Sequence, residues 1–141
     1  MTDQKLFTNT VLIPADATRV HATLTNPQNL LKWVPEITAV DPEINVFIIT
    51  RTRAAINQHE VLTVTSNATT VTYTSREGRL PYQLVFTIVG QASQTLLQET
   101  LFVPRNTGLP LTLLSPIAKQ ALKQNLEMLA ILFADQPCQT K

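Results

Sequence analysis

Residues Leu111 to Asp135 read LTLLSPIAKQALKQNLEMLAILFAD, and this stretch decides the fold. At 100° per residue, Leu114, Ile117, Ala118, Ala121, Leu122, Leu126, Leu129, Leu132 and Phe133 fall on one broad face. Lys119, Gln120, Lys123, Gln124 and Glu127 take the other side. The spacing predicts one long helix, with Ser115-Pro116 at or near its start. Its apolar stripe covers about half the circumference, wider than a typical surface helix needs. Such a helix is expected to be nearly surrounded, and strands curling around it would explain the width. Asn125 lies at the centre of the stripe, between Leu122 and Leu129.

The residues before the helix are strand-like. Short runs at 37–40, 44–53, 58–66, 69–75, 82–89 and 94–103 are separated by Asp41-Pro42, Asn67-Ala68, Arg76-Glu77-Gly78-Arg79 and Gly90–Ser93. Turn signals at this spacing, with no intervening helix, predict an antiparallel meander. Further out, residues 4–13 form another strand, stopped by Pro14. A helix begins near Ala15, with Asp16 in its first turn and Ala17, Val20 and Leu24 on one face. Asn26 caps a second short helix with Pro27 at its first position; it carries Leu30, Leu31 and Trp33 and ends before Pro35. One strand, two short helices, six strands and a long helix make an α+β chain.

The order and the residues together resemble the START and birch-pollen-allergen superfamily, in its polyketide cyclase/dehydrase-like branch. Three features carry the resemblance. Ile13-Pro14-Ala15-Asp16-Ala17-Thr18-Arg19-Val20 is similar to the strand-to-helix start of that group. Asn26-Pro27 followed by Trp33-Val34-Pro35-Glu36-Ile37 is similar to its second helix closing on Trp-x-Pro. The long C-terminal helix follows a Gly/Pro-containing approach. His21 departs from the aromatic residue that many relatives carry there. The resemblance implies a helix-grip fold: a seven-stranded curved antiparallel sheet around the long helix, with two short helices between strands 1 and 2. It also implies a cavity for a hydrophobic ligand between sheet and helix, and it carries no catalytic signature onto this chain.

Composition bounds the rest. The chain has 141 residues, 44% hydrophobic and 15% charged, with a net charge of +1. This suits one domain spanning 1–141, with an ordered core of about 4–134 and a tail at 135–141. The near-neutral balance gives no footprint for nucleic acid. Three isolated glycines exclude a nucleotide-binding glycine loop. Two histidines and one cysteine, Cys138, provide no Cys/His zinc site, so neither metal nor cofactor is expected. No apolar run approaches the ~20 residues of a membrane span. With no secretory signal at Met1–Lys5 and an inert thiol in the tail, a reduced cytoplasmic setting is expected. The oligomeric state stays open.

Ligand-binding candidates follow from the implied cavity: Trp33, Tyr73, Tyr82, Leu84, Phe86, Leu97, Ala121, Leu122, Asn125 and Leu129. Asn125 either points into the cavity or bonds the sheet, because a buried amide needs partners. The tyrosines either orient an amphipathic ligand or pack the core. Trp33 either covers the cavity or staples the second helix to the sheet. Glu99 is the one weak catalytic candidate. It is buried if Leu97, Glu99 and Leu101 face inward, and solvated if Leu96, Gln98, Thr100 and Phe102 do. Arg51 and Arg53 are expected on a solvated outer face, paired with Glu60, with binding of an acidic head group as the alternative. Three readings result: binding or transport of a small hydrophobic molecule or lipid, a cyclase/dehydrase-type enzyme on an aromatic or polyketide-like substrate, and an adaptor using the outer face of the long helix.

Overall fold

The computed structural model describes residues 3–53 and 55–134. Asp135, the expected tail and Cys138 lie outside the described residues. Strand β1 (Asp3–Ile13) leads into helix α1 (Ala17–Thr25), a 3₁₀ turn (Pro27–Asn29) and helix α2 (Leu30–Trp33). Six strands follow: β2 (Ile37–Glu43), β3 (Val46–Arg51), β4 (His59–Ser66), β5 (Thr70–Arg76), β6 (Tyr82–Gln91) and β7 (Gln94–Pro104). Helix α3 (Leu111–Ala134) closes the chain. All strands pair antiparallel in one sheet of order β1-β7-β6-β5-β4-β3-β2. This is the α+β order that the sequence predicted, in the helix-grip arrangement that the resemblance implied.

Local chemistry explains the boundaries. Asp16 sits just before α1 rather than in its first turn, and its carboxylate accepts the Arg19 N–H at 2.9 Å. Asn26 caps the 3₁₀ turn by accepting from Gln28 N, with Pro27 at its first position. Asp41-Pro42 does not end β2. Pro42 pairs with Phe47 inside the strand, which is tolerated because β2 is a sheet edge. Ile44 and Asn45 do not belong to β3 as expected. They form the tight turn between β2 and β3, with Asn45 at φ 64°, a left-handed conformation that asparagine accepts more readily than most residues.

The concave face of the sheet carries the core. Tyr73, Leu84, Phe86, Ile88, Leu97 and Leu101 point inward, with Val20 and Leu24 of α1 and Leu126, Leu129 and Phe133 of α3 packed over them. Alternation therefore reads correctly on β5 and β6. On β7 the face holding Leu97, Glu99 and Leu101 is the inner one.

Helix α3 is not nearly surrounded. Its main neighbours are β1 and α2. Only Leu126, Leu129 and Phe133 are fully buried, while Leu113 and Ile117 stay 70% and 68% exposed. The first half of the helix lies along the rim of an internal space instead of against the sheet. This accounts for the wide apolar stripe better than encirclement does. Asn125 is accordingly half-buried at the side of the packed face, not at its centre. Among the described residues no helix is long and apolar enough to cross a membrane.

Candidate functional site

The space under α3 is a cavity of about 430 Å³ between the concave sheet, α2 and the first half of α3. That volume falls within the usual range for small-molecule sites. Trp33, Ile49, Leu62, Leu84, Leu101, Leu114, Ala118, Ala121 and Leu122 supply most of an apolar wall. Tyr73, Tyr82, Glu99 and Asn125 also line it. Of the expected ligand-binding residues, Phe86, Leu97 and Leu129 do not. All three are buried in the core outside the wall, because their places in the sheet and helix face packed neighbours. Phe86 still shapes the site from behind. It meets Trp33 edge-on at 6.2 Å and Tyr73 at 5.2 Å between ring centroids, arrangements favoured by the ring quadrupoles.

Tyr73 and Trp33 have different polar ends. The Tyr73 hydroxyl donates to the Leu24 carbonyl at 2.6 Å, tying β5 to the end of α1. Burial pushes its pKa up, and Tyr82 and Glu99 add to the effect. Trp33 both fixes α2 against the sheet and faces the cavity, and its buried Nε1–H has no acceptor among the described residues.

Two buried glutamates stand on the inner face. Glu60 is saturated. Its Oε2 accepts from Arg51 Nε at 2.7 Å, and its Oε1 accepts from Ser75 Oγ and from the Tyr82 hydroxyl, each at 2.6 Å. Arg51 also donates to the Tyr82 oxygen at 3.0 Å and pairs with Glu36. Burial pulls the Arg51 pKa down, but Tyr82, Glu60 and Glu36 outweigh it and raise the net value. Burial pushes Tyr82 up, with Arg51 opposing. Arg51 is therefore not on a solvated outer face. It follows Ile49 on the inner face of β3, just as Glu60 precedes Leu62 on β4. Arg53 is exposed, and His59 points away from Glu60 as strand alternation requires.

Glu99 is the opposite case. It is 0% exposed, lines the cavity, and neither carboxyl oxygen has a partner among the described residues. Asn9 lies across from it on β1, but the Asn9 amide nitrogen donates to the Lys119 carbonyl at 3.0 Å. Lys119 Nζ in turn donates to Asn9 Oδ1 at 3.2 Å and to the Thr8 carbonyl at 2.7 Å. Burial pushes the Glu99 pKa up to about 8, and Asn9 offsets only part of this. Such a carboxyl is largely neutral near neutrality and can either donate or accept a proton. Among the described residues no group of three His, Cys, Asp or Glu side chains could hold a metal.

Residues not singled out beforehand complete the wall. Asn57 accepts from the Leu80 N–H and donates to the Leu80 carbonyl, both at 2.8 Å, which fixes the loop between β5 and β6. Gly78 is needed there, since a Cβ would lie 2.5 Å from Asn57 Cγ. Nothing in the periodicity announces Asn57. Arg51 and Glu60 were detectable from the alternation with Ile49 and Leu62.

No protein-family model matches the chain, and no curated protein matches it. Solved structures do match in fold. A START superfamily protein from Mycobacterium smegmatis superposes with a TM-score of 0.76 at 17% identity, over 92% of this chain and 97% of that one. The di-domain ARO/CYC StfQ from the steffimycin biosynthetic pathway gives 0.73 at 10% identity, over 92% of this chain and 51% of its own. Norcoclaurine synthase from Thalictrum flavum gives 0.69 at 10% identity, over 99% and 90%. The chain has the helix-grip fold of the START and birch-pollen-allergen superfamily.

Proposed function

We propose that the protein binds a small, mostly apolar molecule, such as a lipid, in the cavity between the sheet and α3. The observation that carries this reading is the cavity itself: about 430 Å³ with an apolar wall, into which a buried carboxyl faces without a partner. Buried polar groups are normally satisfied, so a carboxyl that the described residues leave unpaired beside a cavity supports a guest that bonds to it. Leu84, Ala118 and Leu122 would contact the apolar body, and Glu99 and Asn125 would fix its orientation. A single domain over 1–141 and a reduced cytoplasmic setting belong to the same proposal; the sparse cysteine content supports the latter.

The test is native mass spectrometry of protein purified from a heterologous host, with organic extraction. A co-purifying apolar molecule that is lost when Leu122→Trp fills the cavity supports the reading. Retention of the molecule in folded Leu122→Trp protein would overturn it.

Glu99 favours a second reading, an enzyme of the cyclase/dehydrase type. A carboxyl whose pKa lies near the working pH is suited to remove an activated proton and return it elsewhere on a folded substrate. Turnover of aromatic or polyketide-like substrates by wild type, with loss in Glu99→Gln and an unchanged fold, would decide for this reading.

A further inference from the structure

Resting on the cavity-binding reading, we propose that the cavity selects an amphipathic molecule whose head group is a protonated amine, with Glu99 as its counter-ion. The wall is asymmetric in charge. Among the described residues its only cation is Arg51, already held by Glu36 and Glu60. A ligand carboxylate would find no uncommitted cation there. A ligand ammonium finds a carboxyl whose oxygens no described residue holds in hydrogen-bond geometry and which becomes an acceptor-only group once it ionises.

The surroundings keep Glu99 available for this. On β1 its neighbour Asn9 gives one amide hydrogen to the Lys119 carbonyl, and the other, turned toward Glu99, lowers its pKa only in part; the Lys119 ammonium is bonded to Thr8 and Asn9. On β6 the partner across the strand is Phe86, which cannot hydrogen-bond, and Tyr82 is turned to Glu60 and Arg51. From β5, Tyr73 spends its hydroxyl on Leu24. Tyr73 and Trp33 also bring aromatic rings to the wall, surfaces that attract a cation.

The proton balance is explicit. Before a ligand binds, burial keeps the O–H on most of the Glu99 carboxyl near neutral pH. When the ammonium binds, that O–H bond breaks, the proton leaves to the buffer, and the ligand stays protonated. Binding therefore releases close to one proton near neutral pH, and the ion pair replaces a buried neutral acid. An alcohol of the same shape gains one ordinary hydrogen bond and releases none.

A matched set of probes tests this: naphthylethylamine, naphthylethanol and naphthylacetate, titrated calorimetrically near neutral pH in two buffers of different ionisation heat. The amine is expected to bind at least about tenfold tighter than the alcohol, reflecting a charge-assisted bond, with the carboxylate weakest. Close to one proton should be released with the amine alone. Glu99→Gln should lose the tenfold preference and the proton release, with thermal melting confirming the fold. Glu99→Leu should repeat the loss. Alcohol or carboxylate binding as tightly as the amine overturns the amine head group and leaves the cavity reading standing. Persistence of the preference in both folded Glu99 variants overturns the role of Glu99. Absence of binding by all three probes overturns both proposals.

Discussion

Glu60 and Glu99 make an instructive pair. Both sit on the concave face of the sheet and both are essentially inaccessible to solvent. Glu60 holds a guanidinium and two hydroxyls in hydrogen bonds, whereas among the described residues no guanidinium or hydroxyl bonds Glu99 and only the Asn9 amide lies beside it. The first end of the cavity is built as finished structure: a charge brought in together with its partners. The second carries a carboxyl that the described residues leave without a geometric partner. A buried charge with partners argues for architecture, and a buried carboxyl facing a cavity without them supports the proposed guest.

The largest effect should come from unpairing the finished end. Arg51→Met leaves the Glu60 carboxylate buried without its cation, and the expected loss is about 3–5 kcal/mol of unfolding free energy in urea titrations. A loss under ~1 kcal/mol would mean that the two glutamates do not differ in kind.

At the other end the sign reverses. The folded pKa of Glu99, about 8, lies above its usual 4.5. Between these values the folded state holds a proton that the unfolded state has shed, so stability falls as pH rises through that window. Below it the penalty is absent. Glu99→Gln removes this dependence, and its advantage over wild type should grow to the order of a few kcal/mol by about pH 8. Parallel stability–pH curves for the two proteins would remove the contrast with Glu60.

Smaller changes sharpen the boundary between frame and site. Asn57→Ala strips the Leu80 backbone of both partners and should cost about 2 kcal/mol in thermal or urea unfolding. Tyr73→Phe removes one bond to the Leu24 carbonyl and should cost about 1 kcal/mol. A much larger loss would show that the hydroxyl braces the cavity rather than only joining β5 to α1.

The sequence carried the architecture because its periodicity switches clearly between strand alternation and helical stripes, at residues 14–37 and again before Leu111, and because Pro and Asn mark the turns. The site was legible in part. Trp33, Tyr73, Tyr82, Leu84, Ala121, Leu122 and Asn125, named as candidates, line the cavity. Glu99 could not be placed because β7 offers leucines on both faces, Leu96 against Leu97 and Leu101, and only its pairing with β1 and β6 settles the inner one. Arg51 and Glu60 were assigned to solvent on the general habit of charges, although Ile49 and Leu62 beside them set the opposite phase. Asn125 was centred on a stripe that included residues bordering a space, a distinction that a helical wheel does not make.

The pairing of β1 with β7 also bears on time. The first strand, ending at Ile13, finds its neighbour only once β7, beginning at Gln94, has been made, with Asn9 opposite Glu99 in the finished register. Closing so long a loop costs entropy before any contact repays it, and folds dominated by such distant pairings assemble in roughly milliseconds to seconds. The hairpins from β2 to β7 can form from neighbours alone. Residues along the β1–β7 seam, Ile13 and Val103 among them, are then expected to affect refolding rates differently from residues in those hairpins. The edge of the sheet against which α3 packs would then be set by a slow, long-range contact.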